Sequence, residues 1–180
     1  LTAHNAILRG GEVGHPDERA FDAALDMTLR HVTWCTPCEE SGGRAWLILW
    51  VVPIKDRGYR HQKGFPVPIA RRHDGPMGSD PMCTYDHIRM AWEAAAGSTV
   101  PAASADWQGR VGGGRMPAAS RLATRPLFVT VEGRAWRTSD VRRLAQRMAA
   151  ACGEDPAEFG GKSFRVGGAT DLREAMGADD

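Results

Sequence analysis

The chain has 180 residues, 42% hydrophobic and 25% charged, and its 23 Lys and Arg against 22 Asp and Glu leave a formal net charge of +1. Those proportions suit one soluble domain of mixed α and β structure with its own core, no apolar run is long enough to span a bilayer, and the first residues are neither a signal nor a transit peptide. A charge so near zero means that any nucleic-acid role must rest on local patches, for which the candidates are Arg57 with Arg60 and Lys63, then Arg71 with Arg72, and then Arg110, Arg115, Arg121 and Arg125.

Residues 1–13 read as a helix, 14–17 as a loop and 18–29 as helical or mixed. Residues 31–35 predict a first short strand. The run AWLILWVVPI (45–54) is apolar, aromatic and β-branched and has strand length, and GFPVPIA (64–70) is its partner across a polar connection that contains the turn-forming Gly58. Together these predict a small antiparallel sheet of three strands. After 76–81, residues 85–96 read as a helix with Ile88, Trp92 and Ala95 on one face. The stretch 97–126 is rich in Gly, Ala, Ser and Pro, lacks periodicity and predicts a flexible insertion. Order returns at 127–130. A helix follows, capped by Thr138 or Ser139, with Val141, Leu144 and Met148 as its buried stripe and Gly153 as its stop. Residues 154–161 then lead into a last helix, expected to start at Lys162 and to run to Ala175 or Met176.

Four cysteines suggest two kinds of chemistry. Trp34-Cys35-Thr36-Pro37-Cys38 has the spacing of a thioredoxin redox motif, which needs a long helix directly after it, whereas residues 39–44 here form a polar turn leading into a strand. A zinc site built on Cys35 and Cys38 with Cys83, Cys152 or a His needs a second ligand pair at short spacing, and the sequence has none. Reduced, partly buried thiols are the expectation, with no metal and no cofactor.

The segment Lys162-Ser163-Phe164-Arg165-Val166-Gly167-Gly168-Ala169-Thr170 sets two cations three residues apart at a helix start. Unpaired backbone N–H groups and the positive end of the helix dipole already favour anions there, and an Arg adds a bidentate fork for phosphate. This string resembles the second signature box of the tyrosine recombinase (phage integrase) family, H-S-x-R-x-G-x-A-T, with Lys162 where that family usually has His. Ala6-Ile7-Leu8-Arg9-Gly10-Gly11-Glu12-Val13 resembles its first box, an apolar helix carrying an Arg followed three residues later by an acid. Lys55 is similar in position to the family's hairpin Lys, with Lys63 as the competitor. Met82-Cys83-Thr84-Tyr85-Asp86-His87-Ile88 is similar to the helix after the hairpin, and Leu127-Phe128-Val129-Thr130 to the segment before the next one. The closest look is to eukaryotic mobile-element recombinases, and the likeness covers almost the whole chain apart from the insertion.

The resemblance implies an α+β, mainly α, catalytic domain with a small three-stranded antiparallel sheet, occupying residues 1–180 and acting on duplex DNA as a homo-oligomer when full length. It is expected inside the cell, in the nucleus if eukaryotic and otherwise in the cytoplasm. In that family a Tyr attacks the scissile phosphate to form a 3′-phosphotyrosine, two Arg neutralise the phosphoryl oxygens, and a Lys protonates the leaving 5′ oxygen, without metal. Carried over, Arg9, Lys55, Lys162 and Arg165 are the catalytic candidates, and Glu12 supports them structurally. Two departures accompany the likeness. Lys162 cannot be the neutral base that a His can be, although the related type IB topoisomerases also use Lys there. The sequence ends before the family's nucleophilic Tyr, since Tyr59 and Tyr85 lie elsewhere, so the expectation is an incomplete chain. The alternative is a catalytically dead DNA-binding or interaction remnant of a mobile element, and a redox protein using Cys35 and Cys38 ranks behind both.

Overall fold

The computed structural model describes residues 10–39, 41–51, 65–103, 120–163, 166 and 170. Three strands, β1 (Val32–Cys35), β2 (Trp46–Val51) and β3 (Phe65–Ala70), form one antiparallel sheet in the order β1-β2-β3. The predicted sheet is therefore present, in register from Val32 opposite Leu49 to Cys35 opposite Trp46, and from Trp46 opposite Ala70 to Val51 opposite Phe65. Alternation decides which face is covered. Val32 and Trp34, Leu47, Leu49 and Val51, and Ile69 join the main core, while Thr33 lies on the other face and accepts a hydrogen bond from Trp50 Nε1 at 2.9 Å. Pro66 and Pro68 are tolerated because β3 is an edge strand, so their missing N–H groups cost no ladder bond.

Two long helices cover and flank this sheet. Helix α2 (Thr84–Ala96) buries Ile88, Trp92 and Ala96, spaced four residues apart, and ends where Gly97 takes φ 68°. Trp34 packs edge-on against Tyr85 and Trp92, with ring centroids 5.8 and 6.2 Å apart, and Trp92 Nε1 donates to the Leu29 carbonyl at 3.1 Å. Helix α3 (Thr138–Ala151) buries Val141, Ala145 and Ala149, half-buries Leu144 and stops before Gly153, whose φ is 81°. Here the expected stripe is corrected: Met148 is 50% exposed, and alanines take the inward positions, which lets the helix lie close to its neighbours. The start of α3 also differs. Neither Thr138 nor Ser139 caps it; the Asp140 carboxylate accepts from the Arg137 N–H at 2.9 Å, while Ser139 is held by Asp17 and Thr138 by the His15 carbonyl.

Residues 18–29, expected to be helical or mixed, are turns followed by a 3₁₀ turn at Leu29–His31. The reason is Asp26. Its buried carboxylate accepts from the Arg19 guanidinium and from the Asp22 N–H, a local alternative to helix hydrogen bonding. The predicted flexible stretch 97–126 is ordered at its end, where Ser120 caps a 3₁₀ turn, Arg121–Thr124, that buries Ala123. Residues 104–119 lie outside the described set.

Candidate functional site

The short helix α1 (Gly10–Val13) carries Glu12, which is 9% exposed, at the foot of α3. Backbone bonds join the two elements: His15 N–H donates to the Trp136 carbonyl and Thr138 N–H to the His15 carbonyl, both at 2.9 Å. Gly14 makes this approach possible, because a Cβ there would lie 2.6 Å from the Arg137 carbonyl carbon and oxygen. The segment carrying Glu12 is thereby tied to the helix that leads toward Lys162. An open depression lined by Glu12, His15, Phe21, Asp26, Phe128 and Trp136 lies at this junction, with room of about 10 Å³, enough for about one water.

Lys162 is exposed and opens a helical turn, since Val166 N–H donates to its carbonyl at 3.1 Å. The hydroxyl of Ser163, the next residue, accepts from the Gly160 N–H at 3.0 Å and closes the entry to this turn. The cation thus stands at a helix start, as the sequence predicts. Arg9, Lys55 with its competitor Lys63, and Arg165 lie outside the described residues, so their convergence with Lys162 is an expectation and not an observation.

The basic patches sort differently from the sequence reading. Arg71 is not a surface cation: its Nε donates to Asp86 Oδ1 at 2.8 Å and its Nη2 to the Gly75 carbonyl at 2.7 Å. Arg72 is exposed, with only a long contact to Asp80 at 3.7 Å, and Arg121 and Arg125 are exposed as well. Arg57, Arg60, Arg110 and Arg115 lie outside the described residues. Helix α3 supplies cations that the sequence reading passed over. Arg143 and Arg147 stand one turn apart opposite the buried Val141, Ala145 and Ala149, flanked by Arg142 and Gln146. Asp140 engages Arg143 and Arg134, whereas Arg142 and Arg147 have no ion-pair partner among the described residues. The signal was available: basic residues at i, i+1 and i+5 opposite an i, i+4, i+8 apolar stripe. The Arg134 guanidinium holds the Asp140 carboxyl well below the usual carboxylate range, against the opposing effect of burial, so the acid stays ionised and leaves the helix face net positive.

A second polar constellation sits where β3 hands over to α2. Asp86 is fully buried, and its Oδ2 faces His73 Nε2 at 3.1 Å and the Gly78 N–H at 2.8 Å while Oδ1 faces Arg71. The Gly75 N–H donates to His73 Nδ1 at 3.0 Å, which makes Nδ1 the acceptor and puts the ring proton on Nε2, aimed at Asp86. Burial pushes the Asp86 carboxyl up, but Arg71 and Gly78 outweigh it and leave it below its ordinary value. Cys35 and Cys38 carry free thiols, and burial raises the Cys35 thiol to about 11, which leaves little thiolate to act as a nucleophile. Tyr85 is buried, and desolvation raises its phenol, which makes it a core side chain rather than a nucleophile. Among the described residues no helix is long and apolar enough to cross a membrane. The chain matches no protein-family model, no curated protein and no solved structure.

Proposed function

We propose that this chain is the DNA-binding catalytic region of a site-specific tyrosine recombinase, in which Arg9, Lys162 and Arg165 bind the scissile phosphate and Lys55 serves the leaving oxygen. The observation that carries the reading is Lys162: an exposed cation at the opening of a helical turn, at the head of the K-S-F-R-V-G-G-A-T string. The arrangement around it is compatible with the likeness. Glu12 is buried against the start of α3, the segment bearing Lys55 joins two paired strands, and α2 and α3 follow in the order of the resembled family. The outward face of α3 offers Arg142, Arg143, Gln146 and Arg147, side chains suited to phosphates and to purine edges in a major groove. Strand cleavage needs a tyrosine held in line with the phosphate, a role that the buried Tyr85 does not fill.

The test is duplex binding as a function of salt. Binding should be weak and should fall steeply between low and physiological salt, because phosphate contacts dominate it. Arg165→Ala and the pair Arg142→Ala with Arg147→Ala should each weaken it with little change in thermal midpoint. Each phosphate-contacting cation removed should lower the slope of log K against log salt by about 0.9. Absence of binding at low salt, or a salt-independent affinity, contradicts the proposal.

A further inference from the structure

We propose that His73, Cys83 and Asp86 form a binding site for one divalent ion of the zinc class, clasping the exit of β3 to the start of α2. The inference rests on this cluster alone and is independent of the recombinase reading. One ligand atom from each residue lies within 4.8 Å of the other two. Around a tetrahedral zinc, with bonds of roughly 2.0–2.3 Å, ligand atoms stand roughly 3.3–3.8 Å apart, so closure needs an inward shift of about an ångström. The pair His73 Nε2 and Asp86 Oδ2 is already at 3.1 Å. Cys83 and Asp86 are wholly buried, three residues apart at the first turn of α2, while the His73 side chain is 20% exposed and gives an entering ion, and a fourth water ligand, their access. Sulfur, nitrogen and carboxylate oxygen together favour zinc or cobalt over magnesium or calcium, which take oxygen ligands.

The site is held by protonated donors, and the ion replaces them. Cys83 gives up its thiol proton to solvent as the sulfur–metal bond forms. The His73 ring proton moves from Nε2 to Nδ1 as Nε2 binds the ion. That shift costs the Gly75 N–H contact at Nδ1, and the peptide that must turn away is a glycine, the residue with most freedom to do so. Position 75 is tight, because a Cβ there would meet His73 Nδ1 and Ser79 Oγ at 3.0 Å each. Arg71 keeps its 2.8 Å bond to Asp86 Oδ1 and orients the ligating carboxylate from behind, while its longer 3.4 Å contact from Nη2 to Oδ2 yields to the ion. Sequence spacing did not point to the cluster, because nine residues separate His73 from the Cys83 and Asp86 pair, and only the return of β3 against α2 brings the three together.

The experiment is titration of the metal-free chain with cobalt(II), followed by its visible absorption, and then displacement by zinc. The expected result is one cobalt per chain with a sulfur-to-cobalt charge-transfer band, which zinc abolishes. Cys83→Ser should lose the band, and His73→Gln should lose the ion, whereas Cys152→Ser should change neither. Because Asp86 variants are expected to unfold more easily, the wild-type spectrum is the primary readout. No uptake, uptake without the sulfur band, or a band that survives Cys83→Ser overturns the proposal and leaves the cluster as a hydrogen-bonded knot.

Discussion

Replacing Asp86 by Ala removes the single acceptor on which Arg71, His73 and the Gly78 N–H converge. The aspartate side chain is 0% exposed and Arg71 is 18% exposed, so the substitution strands a mostly desolvated guanidinium. Breaking a buried pair from one side costs about 3–5 kcal/mol. Arg71 retains some access to water, which places the loss toward the lower end, about 3 kcal/mol, or roughly 6–12 °C in midpoint for a chain of this size. The assay is urea and thermal unfolding with a chelator present, so that no ion contributes. The pH dependence follows from the same pair. The Asp86 carboxyl titrates below its unfolded value, so its stabilisation is full above the unfolded carboxylate value and is lost as pH falls through the folded one. Wild-type stability should therefore fall more steeply on acidification than that of the Ala variant. Exchanging both partners, Arg71→Met with Asp86→Leu, should recover part of the single-variant loss, since removing the pair together leaves no orphaned charge while the Gly78 N–H and His73 still lose their acceptor. A loss below about 1 kcal/mol for Asp86→Ala would refute the claim that this pair locks β3 to α2.

Two further outcomes are expected. Gly14→Ala should destabilise by about 1–3 kcal/mol, because its Cβ would meet the Arg137 backbone, which has no flexible end to move aside; unchanged denaturant midpoints would show that α1 and α3 separate freely. In timed alkylation at pH 8, Cys152 should react first and Cys35 last, since a buried thiol raised to about 11 offers roughly a thousandth of its sulfur as thiolate there; equal rates, or a Cys35–Cys38 disulfide under mild oxidant, would restore the redox reading.

What the sequence disclosed followed the strength of its local periodicity. Strand β2 was legible because residues 45–54 are an apolar, aromatic and β-branched run of strand length, although such a run does not tell which face is buried; the register puts Leu47, Leu49 and Val51 inward. Helix α2 was legible from Ile88 and Trp92 one turn apart. Elsewhere the side chain that decided the backbone was polar. Asp26 draws 18–29 into turns, and Asp140, rather than the hydroxyls before it, satisfies the start of α3. In α3 the pattern located the helix but not its face, because the inward positions went to alanines and close packing rather than to Met148.

Charge was harder to read than hydrophobicity, and Arg71 and Arg147 show why. Both look alike in sequence, each beside another arginine or in a basic stretch. Arg71 is committed to a buried carboxylate fifteen positions away, a pairing set by tertiary packing that no local pattern announces. Arg147 lies on a helix face whose one acid, Asp140, is already engaged by Arg134 and Arg143. A cation satisfied inside the fold has little left for a ligand, whereas an exposed one that lacks a fixed counter-charge can exchange its counterions for a phosphate. The consequence is a reassignment of charge within a chain whose net charge is close to zero: Arg71 acts as a structural clamp, whereas Arg142 and Arg147 on α3 and the exposed Lys162 are among the cations that no acid of the described residues neutralises.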